Sequence, residues 1–127
     1  MADLLMLLTA HWIADFVCQS DWMALGKSKR FLPLFVHVGL YTVVMTLALL
    51  YWVSTYAITD ASTAFSFALP MFALITFVTH FATDYVTSRI NSRLWAAKQN
   101  HWFFVSVGFD QLIHFYTLAW TFQWCVR

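Results

Sequence analysis

The chain has 127 residues, enough for one domain; 61% are hydrophobic and only 10% charged, against about 25% charged in soluble domains. A formal net charge of +1 offers no basic field to nucleic acid. The two cysteines, Cys18 and Cys125, are too few for a cysteine zinc motif or a disulfide framework. This composition suits lipid as its solvent and predicts one all-α domain, an integral membrane four-helix bundle.

A bilayer-spanning helix needs roughly 20 mostly apolar residues, and four segments approach that length. The first covers residues 2–18, with an extension as far as Trp22 (2–22 in all), and is the least apolar because Asp3, His11 and Asp15 lie in it. It lacks the basic start of a secretory signal and is read as a retained helix. A polar connection follows, carrying Lys27, Lys29 and Arg30. The second helix is predicted over 33–56, with Pro33 in its first turn, where a missing N–H costs least. His37 lies near its start, and Tyr51, Trp52 and Tyr56 form an interfacial cluster at its end.

A short turn around Asp60 leads to a third helix over 65–89, with Pro70 in its first turns. A second basic connection, with Arg93 and Lys98 and with Arg89 at its edge, precedes a fourth helix over 102–126 that ends in Trp120 and Trp124. Six of the seven Lys and Arg residues therefore fall in two connections. The positive-inside rule puts both in the cytoplasm and both termini outside the inner membrane. Each half then reads as a helical hairpin with a His-aromatic-x-x-Asp motif and a basic turn, a pattern that a parallel repeat or a chance of composition would equally give.

The costly residues lie within the apolar segments. His11–Asp15, His80–Asp84 and Asp110–His114 are each four apart, so each pair shares one helix face. With the topology set by Lys and Arg alone, all six, together with His37, fall in the cytoplasmic half of the membrane. Such convergence has three readings. The residues could ligate one or two divalent metals, with zinc, manganese or iron suited to imidazole and carboxylate. They could relay protons or cations. They could bond helices together. In the metal reading His11, Asp15, His80, Asp84, Asp110 and His114 are the ligands. Asp15, Asp84 and His37 are the acid–base groups, with His37 either a ligand or a proton shuttle.

Other polar residues carry weaker signals. Lys27 and Arg89 could hold an anionic headgroup, though topology explains them equally well. Gln111, on a different face from Asp110, is a candidate interhelical donor. Tyr41 and Thr42, a turn beyond His37, either orient it or pack.

The ordered blocks His11-x3-Asp15-Phe16-x2-Gln19-x-Asp21, His37 with Tyr41-Thr42, His80-x3-Asp84 with Ser88-Arg89, and Asp110-Gln111-x2-His114 span nearly the whole chain. In that order they resemble a small membrane family of bacteria and phages catalogued as domain of unknown function 3307. The resemblance implies a multi-pass membrane protein and supplies no activity. A looser likeness, in residue types alone, is to membrane-bound metal-dependent hydrolases. The leading expectation is a metal-dependent membrane hydrolase acting on a lipid-linked or amphipathic substrate. The alternatives are a proton-coupled transporter or channel, which in four helices needs an oligomer, and a phage-type structural or host-exclusion protein.

Overall fold

The computed structural model describes residues 2–56 and 67–126, and every element it describes is helical. Helix α1 (Ala2–Trp12) passes into a π-helical turn (Ile13–Val17), closed by the Cys18 N–H donating to the Ile13 carbonyl at 2.9 Å. That five-residue bond widens the helix, a feature often found at functional sites. The chain then breaks, and Ser20 caps a short helix α2 (Asp21–Gly26) by accepting from the Met23 N–H. The first helix therefore ends before Trp22, and residues 21–22 belong to a separate element.

The two longest helices are α3 (Phe31–Tyr56) and α4 (Leu69–Ala96), followed by α5 (Asn100–Val126). Helix α3 begins two residues earlier than Pro33 alone suggests, but Pro33 still lies in the first turn, where backbone N–H groups have no helical partner. Pro70 likewise falls within the first two positions of α4. Helix α4 runs on through Arg93 to Ala96, past the expected end at Arg89, so part of the second basic connection is helical. The expected turn around Asp60 lies outside the described residues.

Helices α4 and α5 join through a tight turn. The Gln99 N–H donates to the Leu94 carbonyl and the Lys98 N–H to the Trp95 carbonyl, with Lys98 at φ 56°. This is a Schellman cap with lysine where glycine is usual. The tight turn fixes the register of the hairpin, so that Asp84 on α4 faces Asp110 and His114 on α5. The first half has no such turn; its π-helical turn and α2 intervene, so the two halves differ where they would have to match as repeats. Helix α2 is pressed against the start of α3. A Cβ on Gly26 would lie 2.7 Å from Pro33 Cγ, well inside the ~3.5 Å of ordinary carbon contact.

Helix α1 packs on α3 and α5, α3 on α4, and α4 on α5. The end remote from the basic turns is filled by an apolar cluster that includes Leu7, Met45, Leu49, Phe72, Leu118 and Phe122. Toward the basic turns the interior becomes polar: His11, Asp15, His37, His80, Asp84, Asp110 and His114 are all buried. The outside reverses the pattern, with Leu5, Leu47, Leu74, Phe104, Tyr116 and Trp120 all more than half exposed. Two helices, Phe31–Tyr56 and Leu69–Ala96, are long and apolar enough to cross a membrane.

Candidate metal centre

The buried polar residues divide into two groups of different character. In the first, four ligand atoms from three segments face one another. His37 Nε2 on α3 lies 3.1 Å from Asp15 Oδ1 on the π-helical turn, 3.2 Å from Asp84 Oδ2 on α4 and 3.3 Å from His80 Nε2. His80 Nε2 lies 3.7 Å from each of the same two carboxylate oxygens. Four donors at about 2.0–2.1 Å around a tetrahedral zinc are separated from one another by about 3.3 Å. The observed separations bracket that value.

Proton bookkeeping gives the same indication. One imidazole N–H can serve one acceptor well, yet His37 Nε2 faces two carboxylate oxygens and a second imidazole nitrogen. Asp15 Oδ1 is buried and accepts no hydrogen bond of acceptable geometry, despite its proximity to His37. A buried carboxylate oxygen without a donor is costly. The His80 ring is clamped between Tyr41 (centroids 3.7 Å apart) and His114 (4.1 Å), which aims its Nε2 at this group.

Lys27, at the C-terminal end of α2, reaches into the centre. Its Nζ donates to Asp84 Oδ2 at 2.9 Å and lies 3.5 Å from His37 Nε2. Burial works against its charge, but Asp84 and Asp15 outweigh that and hold the ammonium's pKa above the ordinary lysine value. The packing of Gly26 on Pro33 sets the position from which this side chain starts. Asp84 is thus held at both oxygens, because His114 Nε2 contacts Oδ1 at 3.0 Å.

The second group is a satisfied hydrogen-bond chain. Gln111 gives its amide hydrogens to Asp15 Oδ2 at 3.0 Å and Asp110 Oδ2 at 3.1 Å. Its Oε1 must then accept from His11 Nε2, 2.8 Å away, which leaves His11 Nδ1 to accept from the Tyr41 hydroxyl at 2.7 Å. Asp110 Oδ1 accepts from the Thr87 hydroxyl and lies 3.4 Å from His114 Nε2.

The expected residues therefore take distinct places. Asp15, His37, His80 and Asp84 offer ligand atoms within 4.8 Å of one another, and Asp15, Asp110 and His114 form a second such set. His11, expected as a ligand, belongs to neither: both its ring nitrogens are taken by Tyr41 and Gln111. His11 and Asp15 still meet one side chain, Gln111, but only Asp15, on the π-helical turn, also reaches His37 and His80. His37 joins the ligand atoms directly. Lys27 is the member that the sequence did not single out for this centre, since a lysine in a basic connection carries no mark that it turns inward.

Charge narrows what the centre can hold. Asp15, Asp84 and Asp110 bring three carboxylates, and Lys27 brings one ammonium. Neutrality then needs two further positive charges, from one divalent cation or from two imidazoliums; His37 and His114 each lie beside two carboxylate oxygens. A divalent ion among Asp15, His37, His80 and Asp84 would turn their close contacts into ligation. The buried His/Asp group, two imidazoles and two carboxylates, could hold a metal ion, and donors of this kind suit zinc, manganese or iron.

The profile of a family described as a protein of unknown function (DUF3307) matches residues 4–126. No curated protein and no solved structure matches the chain.

Proposed function

The chain belongs to the DUF3307 family, and we propose that it is a membrane-embedded, zinc-dependent hydrolase whose ion is held by Asp15, His37, His80 and Asp84. The convergence of those four ligand atoms, five of whose six separations are 3.1–3.7 Å, carries the proposal. A divalent ion there offsets the buried carboxylates and makes water nucleophilic near neutral pH. Asp84 is the corner shared with Lys27 and His114. Water would need one of the four protein donors to give up its place; Asp84, which Lys27 and His114 would hold once displaced, would be that donor and would act as the base. Lys27 would steady negative charge developing beside Asp84, and His114, whose Nε2 lies 3.0 Å from Asp84 Oδ1, would pass a proton to or from that carboxylate.

The membrane setting has independent support. Apolar side chains cover the outside while ionisable ones fill the interior, the reverse of a soluble protein. The hydroxyls of Thr42, Thr46, Thr79, Thr83 and Thr121 donate to carbonyls of their own helices. Groups surrounded by lipid need such internal partners. In this reading α3, α4, α5 and the shorter α1 segment all lie in the inner membrane, with the basic turns in the cytoplasm. The apolar cluster from Leu7 to Phe122 plugs the opposite end, which favours a one-sided catalytic pocket over a pathway through the protein.

Metal analysis of detergent-purified protein tests the proposal. One zinc per chain in the wild type, lost in Asp84→Asn and His80→Gln, is the expected result. A wild type that carries no stoichiometric divalent metal after growth in zinc-supplemented medium refutes it.

A further inference from the structure

A cavity of about 720 Å³ opens at the basic end of the helices, and its floor is the edge of the buried centre: Asp15, Asp110 and Gln111 line it. Its walls have two chemistries: Lys27, Lys29, Ser88, Asn91 and Ser92 are polar, and Phe16, Leu25, Trp95, Phe103 and Phe104 are apolar. Leu25, Trp95 and Phe104 are more than half exposed, so the apolar side continues outward onto the surface.

Three buried polar atoms of lining residues lack hydrogen-bond partners: Gln19 Oε1, Ser88 Oγ and Asn91 Oδ1. Ser88 is nine-tenths buried. A buried polar atom that nothing reaches is costly. The Ser88 hydroxyl can donate to an anion as it stands, and the two amides do so on rotating to present their N–H groups.

We propose that this cavity binds the phosphate headgroup of a phosphorylated lipid, with the phosphate at Lys29 and Ser92 and the chains leaving along Trp95 and Phe104. The Lys29 ammonium makes no ion pair among the described residues and is free to meet an anion. Serine hydroxyls and side-chain amides donate to phosphate oxygens and accept from headgroup hydroxyls. Free phosphate would use the polar wall and leave the aromatic wall uncovered; a neutral lipid would do the reverse. Only a molecule with both parts fills the cavity. The inference rests on the metal-site reading for its catalytic consequence, since it makes that centre's substrate a lipid phosphoester; the binding itself does not require the ion.

Isothermal titration of the detergent-solubilised, zinc-supplemented protein with dioctanoyl phosphatidic acid, dioctanoylglycerol and inorganic phosphate tests this, with bound zinc measured on the same samples. Dioctanoyl phosphatidic acid is expected to bind, and Lys29→Gln to weaken it about tenfold. Inorganic phosphate should bind at least about tenfold more weakly, and dioctanoylglycerol should not saturate. Asn91→Leu should lower affinity for phosphatidic acid without lowering thermal stability, because it removes an amide whose buried oxygen lacks a partner. Equal binding of dioctanoylglycerol, equal binding of inorganic phosphate, or no binding of phosphatidic acid to folded protein overturns the proposal. Phosphatidic acid binding to a protein that holds no zinc supports it and refutes the metal reading instead.

Discussion

Replacing Lys27 with methionine tests the centre from an unexpected side. A residue that only glued helices together would, when removed, simply weaken the fold. If Lys27 shares its site with a metal, its removal should also tighten metal binding. Lys27 Nζ lies 2.9 Å from Asp84 Oδ2 and 3.5 Å from His37 Nε2. An ion about 2 Å from both of those atoms sits roughly 4 Å from the ammonium. Two unit charges at that separation repel by about 4 kcal/mol at an effective dielectric constant near 20, and a divalent ion doubles that. The lysine side chain keeps 18% of its surface exposed and can swing outward, so most of the repulsion relaxes. We expect a residual gain of about 1.4–2.8 kcal/mol, a 10- to 100-fold lower zinc Kd in Lys27→Met. Lys27→Arg should show no such gain. A chelator-competition titration in detergent measures this, with thermal unfolding of the metal-free proteins alongside. Metal-free Lys27→Met should melt below wild type, because Asp84 has lost its counter-charge. A folded Lys27→Met that binds zinc no more tightly than wild type would refute the placement of the ion among these four residues.

Gln111→Leu should cost about 2–4 kcal/mol in stability, because it strands His11 Nε2, Asp15 Oδ2 and Asp110 Oδ2 at once; denaturant melts in detergent measure the loss. His11→Gln should keep one zinc per chain with affinity about 10-fold weaker, the usual effect of a partner one layer out from the metal. His80→Gln should lose the ion, and equal zinc content in the two variants would contradict the assignment. Arg93→Cys, placed in a background with Cys18 and Cys125 replaced by alanine, should react with a membrane-impermeant maleimide in inverted membrane vesicles and not in intact spheroplasts. Labelling in spheroplasts would reverse the proposed topology.

Much of this centre is legible in spacing. On an uninterrupted helix the four-residue interval does what it promises: His80 and Asp84 both enter the first group, and Asp110 and His114 face each other at 3.4 Å. At His11 and Asp15 the interval still brings both side chains to Gln111, but Asp15 lies on a π-helical turn and it alone goes on to His37 and His80. No residue type in Ile13–Val17 announces that turn, since its bond pattern follows from packing against α3. Lys27 escaped for a related reason. A lysine in a loop is marked by charge, and charge is equally well used by topology; only the close seating of α2 on Pro33 directs this one inward. The overall helical character needed nothing beyond apolar length. The helix ends, at Val17 and Ala96, depended on a local bond and a cap that apolar length does not encode.

The two halves of the polar interior distinguish a binding centre from structural hydrogen bonding. Along the chain from Tyr41 through His11 and Gln111 to Asp15 and Asp110, each hydrogen has one acceptor and each acceptor a donor. Such a network locks α1, α3 and α5 together and asks for nothing more. Around His37 the contacts crowd instead: its Nε2 faces two carboxylate oxygens and the His80 Nε2, and Asp15 Oδ1, 3.1 Å away, receives no well-aligned hydrogen. Asp15 belongs to both, with Oδ2 held by Gln111 and Oδ1 turned to His37 and His80. The satisfied half thus fixes the orientation of a carboxylate whose other oxygen is left for the unsatisfied half. A group retained only for helix packing has no reason to divide in this way, and a metal ligand supported from behind does.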